Sequence, residues 1–285
     1  TASILSSANV GWVLCDLAVL SANGVSNGIY PTDAAEQVQF LCEDSGTTVL
    51  FVEDDEQLDK ALEVREHLPK LKKIVVFDME GLRDFHDPMV IGLDTLRQLG
   101  REHLAQQPKG LEQRVAAVKP QDLAILVYTS GTTGKPKGAM HSHQGLVYTV
   151  RGYNTLIARR EADECMCFLP LCHIAERMGG EYFSLYTGAK LNFVENPETV
   201  PENVREIAPT IFVGVPRVWE KFYSAVTVSI SEASRLQQLV YGWAIGVGRR
   251  IADRVLEGRP VPPWLKAQFV LARWLALDNV RKLIG

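Results

Sequence analysis

Over the first 130 residues, short unbroken apolar runs alternate with stretches whose apolar positions recur every three or four residues. Val49-Leu50-Phe51-Val52, Ile74-Val75-Val76-Phe77 and Leu123 to Tyr128 show no polar alternation, which predicts strands buried on both faces. Val25 to Tyr30 predicts a further short strand, closed by Pro31. Helices are predicted between them. Asn9 stands at the N-cap of one that carries Val13, Leu17 and Leu20 on one face and ends at Gly24. Asp33 with Glu36 is a capping-box-like start for a helix through Phe40 and Leu41. Glu56 to Leu68 reads as a charged helix stopped by Pro69. Apolar strands separated by helices predict the α/β class, with mostly parallel sheets covered by helices.

Asp94 to Gln107 predicts another helix, and the polar run from Gln106 to Lys119 a connection between subdomains. The expected division is a first α/β subdomain over 1–119 and a second over 120–285. In the second, Gln144 to Leu156 reads as a helix. Met166–Leu171, Lys190–Val194 and Thr210–Val215 read as strands. From Arg217 onward the pattern is helical: Leu236, Val240, Trp243, Val247, Ile251 and Val255 form one stripe. After Pro262-Pro263, Leu265, Phe269, Ala272, Ala276, Val280 and Leu283 form another.

Composition narrows the class. Of 285 residues, 46% are apolar and 22% charged, which fits a globular chain rather than a disordered one. The net charge of −4 argues against a general nucleic-acid binder. Cys15, Cys42, Cys165, Cys167 and Cys172 form no paired C-x-x-C set and read as reduced thiols of a cytoplasmic protein. Small apolar packing accounts for Cys165, Cys167 and Cys172 better than a metal site, since no fourth ligand is evident. No run of about 18 apolar residues exists to span a bilayer. Thr1 opens the chain without a leader, and Gly285 closes it on an apolar helical pattern; both ends are expected to be cuts.

The sharpest motif runs from Tyr128 through Thr129-Ser130-Gly131-Thr132-Thr133-Gly134-Lys135-Pro136-Lys137 to Gly138. An apolar strand delivers it. Its glycines let the backbone approach a ligand and turn N–H groups into one concavity, which suits an anion. The hydroxyls of Ser130, Thr132 and Thr133 add donors for phosphate oxygens, and Lys137 adds a mobile positive charge. It is not a Walker loop, because Gly131 and Gly134 are too close and Pro136 follows Lys135. The other reading of such a loop is a plain surface turn.

This run resembles the phosphate-loop signature of the AMP-forming acyl-adenylate superfamily. Three further stretches resemble its long-chain fatty acyl-CoA synthetase branch. They are Asn9-Val10-Gly11-Trp12 with Gly28-Ile29-Tyr30-Pro31-Thr32, Phe168-Leu169-Pro170-Leu171-Cys172-His173-Ile174-Ala175-Glu176-Arg177, and Val213 to Lys221. The resemblance implies an ATP-dependent ligase that converts a long-chain fatty acid to acyl-AMP, and then to acyl-CoA with coenzyme A as co-substrate. It implies that Thr129, Ser130, Gly131, Thr132, Thr133 and Gly134 wrap the phosphates. Thr129 would help to hold Mg²⁺, and Lys137 would steady the leaving pyrophosphate. His173 would orient the carboxylate rather than act as a base, because a carboxylic acid is already ionised near pH 7; a core histidine satisfied by a backbone carbonyl is the alternative. Arg217 and Trp219 read as the wall or mouth of an acyl tunnel, or as ordinary helix-start packing. Glu176 and Arg177 read as a local pair on the helix after His173.

Family members continue to an adenine loop, a Tyr-Gly-x-Thr-Glu-like motif whose glutamate holds Mg²⁺, a ribose-binding aspartate and a C-terminal catalytic lysine. None of these occurs here, so residues 1–285 alone are expected to be inactive. An adenylating ligase for another acid, and a non-catalytic nucleotide- or lipid-binding module, are the competing readings. A peripheral membrane contact is a further expectation. Residues 249–285 hold Arg249, Arg250, Arg254, Arg259, Lys266, Arg273, Arg281 and Lys282 against Asp253, Glu257 and Asp278, with Trp264, Phe269 and Trp274 among them.

Overall fold

Neighbouring residues of the apolar strands face opposite ways, and helices cover both sides. In the computed structural model, which describes residues 1–129 and 134–283, Leu50, Val52, Ile74 and Val76 pack with Val38, Leu41, Leu58 and Ala61. Phe51 and Val75 pack on the other side with Trp12 and Cys15. Period-2 geometry explains why runs with no polar residue are stable there: neither face meets water.

The strands are β1 (Ala2–Leu5), β2 (Ser26–Ile29), β3 (Val49–Val52), β4 (Lys73–Val76), β5 (Val90–Gly92), β6 (Leu123–Thr129) and β7 (Lys137–Ser142). They form one sheet in the order β5-β4-β3-β1-β2-β6-β7. All its pairings are parallel except β6 with β7. The α/β expectation holds.

Helix α1 (Val10–Ser21) is capped by Asn9, whose side chain accepts the Trp12 N–H at 2.9 Å. Asn23 takes the left-handed conformation at its end (φ 59°), not Gly24. The N–H of Asn23 reaches Leu20 O and that of Gly24 reaches Val19 O, a Schellman closure. The buried positions are Trp12, Cys15 and Asp16, one step round from the expected face. Helix α2 (Ala35–Asp44) has Ala34 at its N-cap and no side-chain cap, so the box expected from Asp33 and Glu36 does not form. Helix α3 (Asp55–Val64) is capped by Asp54 and followed by a 3₁₀ turn, Arg65–His67. Helix α4 (Leu93–Gln106) matches its expectation, and the polar connection after it contains α5 (Gly110–Ala117). Helix α6 (His143–Leu156) starts at a Ser142 cap.

Next, β8 (Glu164–Cys167) and β9 (Lys190–Phe193) form a separate parallel pair. The ladder stops at Cys167 rather than Leu171, because the chain turns at Pro170, whose carbonyl accepts the His173 N–H. Between them lie α7 (Ile174–Glu176), a π-helical stretch Arg177–Tyr182, and α8 (Phe183–Thr187).

Two compact units emerge, Thr1–Glu195 and Asn196–Gly285. Residue 119, the expected subdomain boundary, falls between α5 and β6, inside the first. The second unit holds α9 (Val200–Ile207), α10 (Pro216–Ser231), α11 (Arg235–Leu256), α12 (Pro263–Ala272) and α13 (Asp278–Leu283). The strand expected over Thr210–Val215 is absent: only Ile211 makes a single bridge. A β-rich composition fits a pleat, but a single bridge is too short a ladder to make a strand. In α11, Ala244 and Val247 pack on Leu265 and Ala272, while Leu236 and Val255 at the ends of the stripe stay exposed.

Candidate active site

β2 and β6 are parallel neighbours, and both end at one cleft of about 360 Å³. Ligand sites in open α/β sheets gather at the carboxyl ends of strands. Thr129, the last residue of β6, lies on its rim with Tyr128 and Pro136. Tyr30 and Asp33 line it from the segment after β2, and His173 and Ile174 from the start of α7. The sequence motifs around Gly28, Thr129 and His173 therefore meet at one place.

The ladder pairs Thr129 with Lys137, so the lysine leaves the opposite strand level with the end of β6, and it is exposed. Gly134 has φ of 120°, a conformation that excludes side chains. Ser130, Gly131, Thr132 and Thr133 lie outside the described residues. Beside the loop, the Tyr128 hydroxyl donates to Asp44 at 2.6 Å, and Lys135 Nζ sits 5.1 Å above the Phe40 ring.

His173 caps α7. Its Nδ1 accepts the Ala175 N–H at 3.1 Å, so the neutral ring carries its proton on Nε2. The side chain is exposed rather than a core histidine. Glu176 and Arg177 do not form the expected local pair. Adjacent helical residues point about 100° apart, and these two go to different partners. Glu176 Oε2 accepts the Leu169 N–H at 3.2 Å, whereas Arg177 reaches Asp16 in α1. Burial raises the Glu176 carboxyl to about 7, against the Leu169 N–H, which pulls it down.

Asp33 is a cleft residue that helix-cap spacing disguised. Burial raises its carboxyl above the ordinary range; a backbone hydrogen bond at Tyr30 and the charge of Lys60 oppose the shift. Lys60 Nζ is held nearby by the Pro31 carbonyl at 2.6 Å. The Tyr30 hydroxyl is pushed up to about 12 by burial and by Cys172 and Asp33. All five cysteines are buried single thiols, and burial raises that of Cys172 to about 12.

Arg217 and Trp219 open α10 in the second unit. Arg217 is exposed. Trp219 Nε1 donates to Gly214 O at 3.2 Å, and its ring packs edge-on to Phe212 at 5.5 Å. None of the described helices is long and apolar enough to cross a membrane.

The family model for AMP-binding enzymes matches residues 1–266. The chain belongs to the AMP-binding enzyme family. Within reach of that family, the long-chain-fatty-acid–CoA ligase ACSBG2 of Xenopus laevis is 31% identical over 99% of this chain, which spans 38% of the relative's length. The ACSBG2 of Gallus gallus is 32% identical over 96% of this chain and 36% of its own. Among solved structures, the anthranilate CoA ligase AuaEII in complex with anthranoyl-AMP superposes with a TM-score of 0.58 at 21% identity, over 74% of this chain and 39% of the other. ATP-bound MatB from Rhodopseudomonas palustris gives 0.56 at 18% identity, over 77% and 40%. These two likenesses establish the family's α/β fold.

Proposed function

We propose that this chain carries the phosphate loop and part of the acyl site of a ligase that activates a long-chain fatty acid with ATP. The acid becomes acyl-AMP, and the thiol of coenzyme A then takes the acyl group. One observation carries this reading: Thr129, at the end of the glycine-rich motif's strand, and His173, from the Phe168–Arg177 motif, line the same cleft. The names of the curated relatives support the acid class, and the ATP-bound fold neighbour supports the nucleotide.

The first step brings two anions together, so positioning and charge neutralisation dominate its barrier. Thr129 and Lys137, with Ser130 to Gly134 between them, are the groups that would hold the β- and γ-phosphates. Lys137 would remain on the pyrophosphate as it leaves. The Nε2–H of His173 is a donor for a carboxylate oxygen, and orients it without removing a proton. Among the described residues no three His, Cys, Asp or Glu side chains cluster to hold a metal ion. The Thr129 hydroxyl would hold Mg²⁺ together with substrate phosphate oxygens, the ligands this ion commonly uses. When bound, it would neutralise phosphate charge. Arg217 and Trp219 are proposed to border the acyl chain. The subdomain division near residue 119 is proposed as a feature of the sequence.

ATP–pyrophosphate exchange in a ligase carrying this chain, run with palmitate, octanoate and benzoate, tests the reading. The highest kcat/KM is expected for palmitate. A preference for benzoate would favour a ligase of another acid. Nucleotide or lipid binding without exchange would favour a non-catalytic module.

A further inference from the structure

Arg177 is wholly buried, and three elements hold its guanidinium. Its Nη2 donates to Asp16 in α1 and to Ser26 Oγ at the start of β2, at 2.8 Å to the serine. Its Nε donates to the Tyr182 hydroxyl at 3.0 Å, and that hydroxyl donates to Asp16 Oδ2 at 2.6 Å. The guanidinium carbon also lies 4.8 Å above the Trp12 ring. Glu181 stands beside this group, and burial followed by the charge of Asp16 raises its carboxyl well above the ordinary range.

A buried ion pair is a poor route to stability, since apolar side chains of similar volume often serve as well. Its specific product is geometry. The Arg177 N–H donates to the His173 carbonyl at 3.1 Å, so the pinned arginine stands one helical turn from the imidazole. The other end of the segment is tied by Glu176 to the Leu169 N–H. Gly180 makes room for that carboxylate: a Cβ there would lie 2.1 Å from Glu176 Oε1. The turn that presents His173 is thus closed on itself and anchored to α1 and β2.

We propose that Arg177 and Asp16, with Tyr182, are positioning residues for His173, holding its turn rigid so that the imidazole meets the substrate carboxylate. The inference rests on the role given to His173 above. None of the three touches the cleft; each acts through the backbone of the His173 turn.

The test is a double-mutant cycle read by ATP–pyrophosphate exchange with palmitate, in a ligase carrying this chain. Asp16→Asn and Tyr182→Phe are each combined with His173→Ala. A misplacement of about 1 Å can cost on the order of 10²-fold. Asp16→Asn is expected to lower kcat/KM for palmitate by roughly that factor, and Tyr182→Phe by roughly tenfold, with KM for ATP unchanged. In the His173→Ala background, neither change should cause further loss, because coupled sites are not additive. In the 285-residue chain, the His173 Cε1–H proton resonance, assigned by its loss in His173→Ala, should shift in Tyr182→Phe. Additive losses, or full activity in a folded Tyr182→Phe protein with an unmoved resonance, would overturn the proposal. A His173→Ala protein with full activity would overturn both this inference and the role of His173. Losses that are additive while His173→Ala is impaired would overturn the inference alone. If Asp16→Asn fails to fold, the Tyr182→Phe cycle decides.

Discussion

A Cβ at Gly28 would stand 2.7 Å from the Cα of Cys172 and 2.8 Å from its Cβ. The end of β2 and the turn before His173 therefore touch backbone to side, with no space for a methyl group. This contact draws two distant motifs to one cleft. Gly28→Ala forces a shift of main chain and is expected to cost about 1–3 kcal/mol, the usual range for overpacking. Thermal unfolding should register it as a fall in Tm. Cys172→Gly should not rescue it, because the nearer obstacle is the Cα. An unchanged Tm would contradict the close approach.

Lys137→Ala is expected to depress adenylation by about 10²–10³, the usual cost of losing one preorganised contact to transition-state charge. Transfer of the acyl group from pre-made acyl-AMP to coenzyme A should suffer far less, since pyrophosphate has already left. Single-turnover assays of the two half-reactions separate these outcomes. Equal losses would instead place the lysine's effect in the fold of the loop.

Much of this arrangement was readable from the chain alone. Strands β3, β4 and β6 were legible because a run with no polar residue has few alternatives between turn signals. The Asn9 cap was legible because its chemistry is local. Asp33 was misread because Asp-x-x-Glu spacing mimics a cap, while its burial beside Lys60 depends on how α2 and α3 meet. Thr210–Val215 was misread because composition says nothing of how far a pairing extends. The partners of Arg177 were hidden for a similar reason: Asp16 and Ser26 are remote in sequence and neighbours only in the fold.

The Glu176 carboxyl gives a pH dependence. Its folded pKa of about 7 lies above the ordinary value of 4.5. The folded state therefore keeps a proton that the unfolded state releases between those values. Its contribution is fully present below about pH 4.5 and is lost as pH rises through about 7, by at most about 3 kcal/mol. Glu176→Gln keeps an acceptor for the Leu169 N–H and cannot ionise. The difference in Tm, variant minus parent, should grow from pH 4.5 to 7 and then level off. A difference that is flat across this range would place the titration elsewhere.

The membrane expectation acquires specific residues. Phe269 packs with Leu265 and Ala272 against α11, whereas Trp264 and Trp274 are 55% and 76% exposed, with Val270 and Leu271 beside them. We propose that this face rests on an anionic bilayer, where each nearby basic residue contributes about 1 kcal/mol. Co-sedimentation with phosphatidylserine vesicles should exceed that with neutral vesicles at low salt, and Trp264→Ser with Trp274→Ser should abolish it. Equal sedimentation with both vesicle types would leave these helices as scaffold.

Phosphate and carboxylate are proposed to meet between Thr129 and His173. A crystal structure of the protein with palmitate and a non-hydrolysable ATP analogue tests this. The β- and γ-phosphates are expected beside Thr129 and Lys137, and a palmitate carboxylate oxygen within about 3.2 Å of His173 Nε2. Ligands seated away from this cleft, with Thr129 and His173 both untouched, would contradict it.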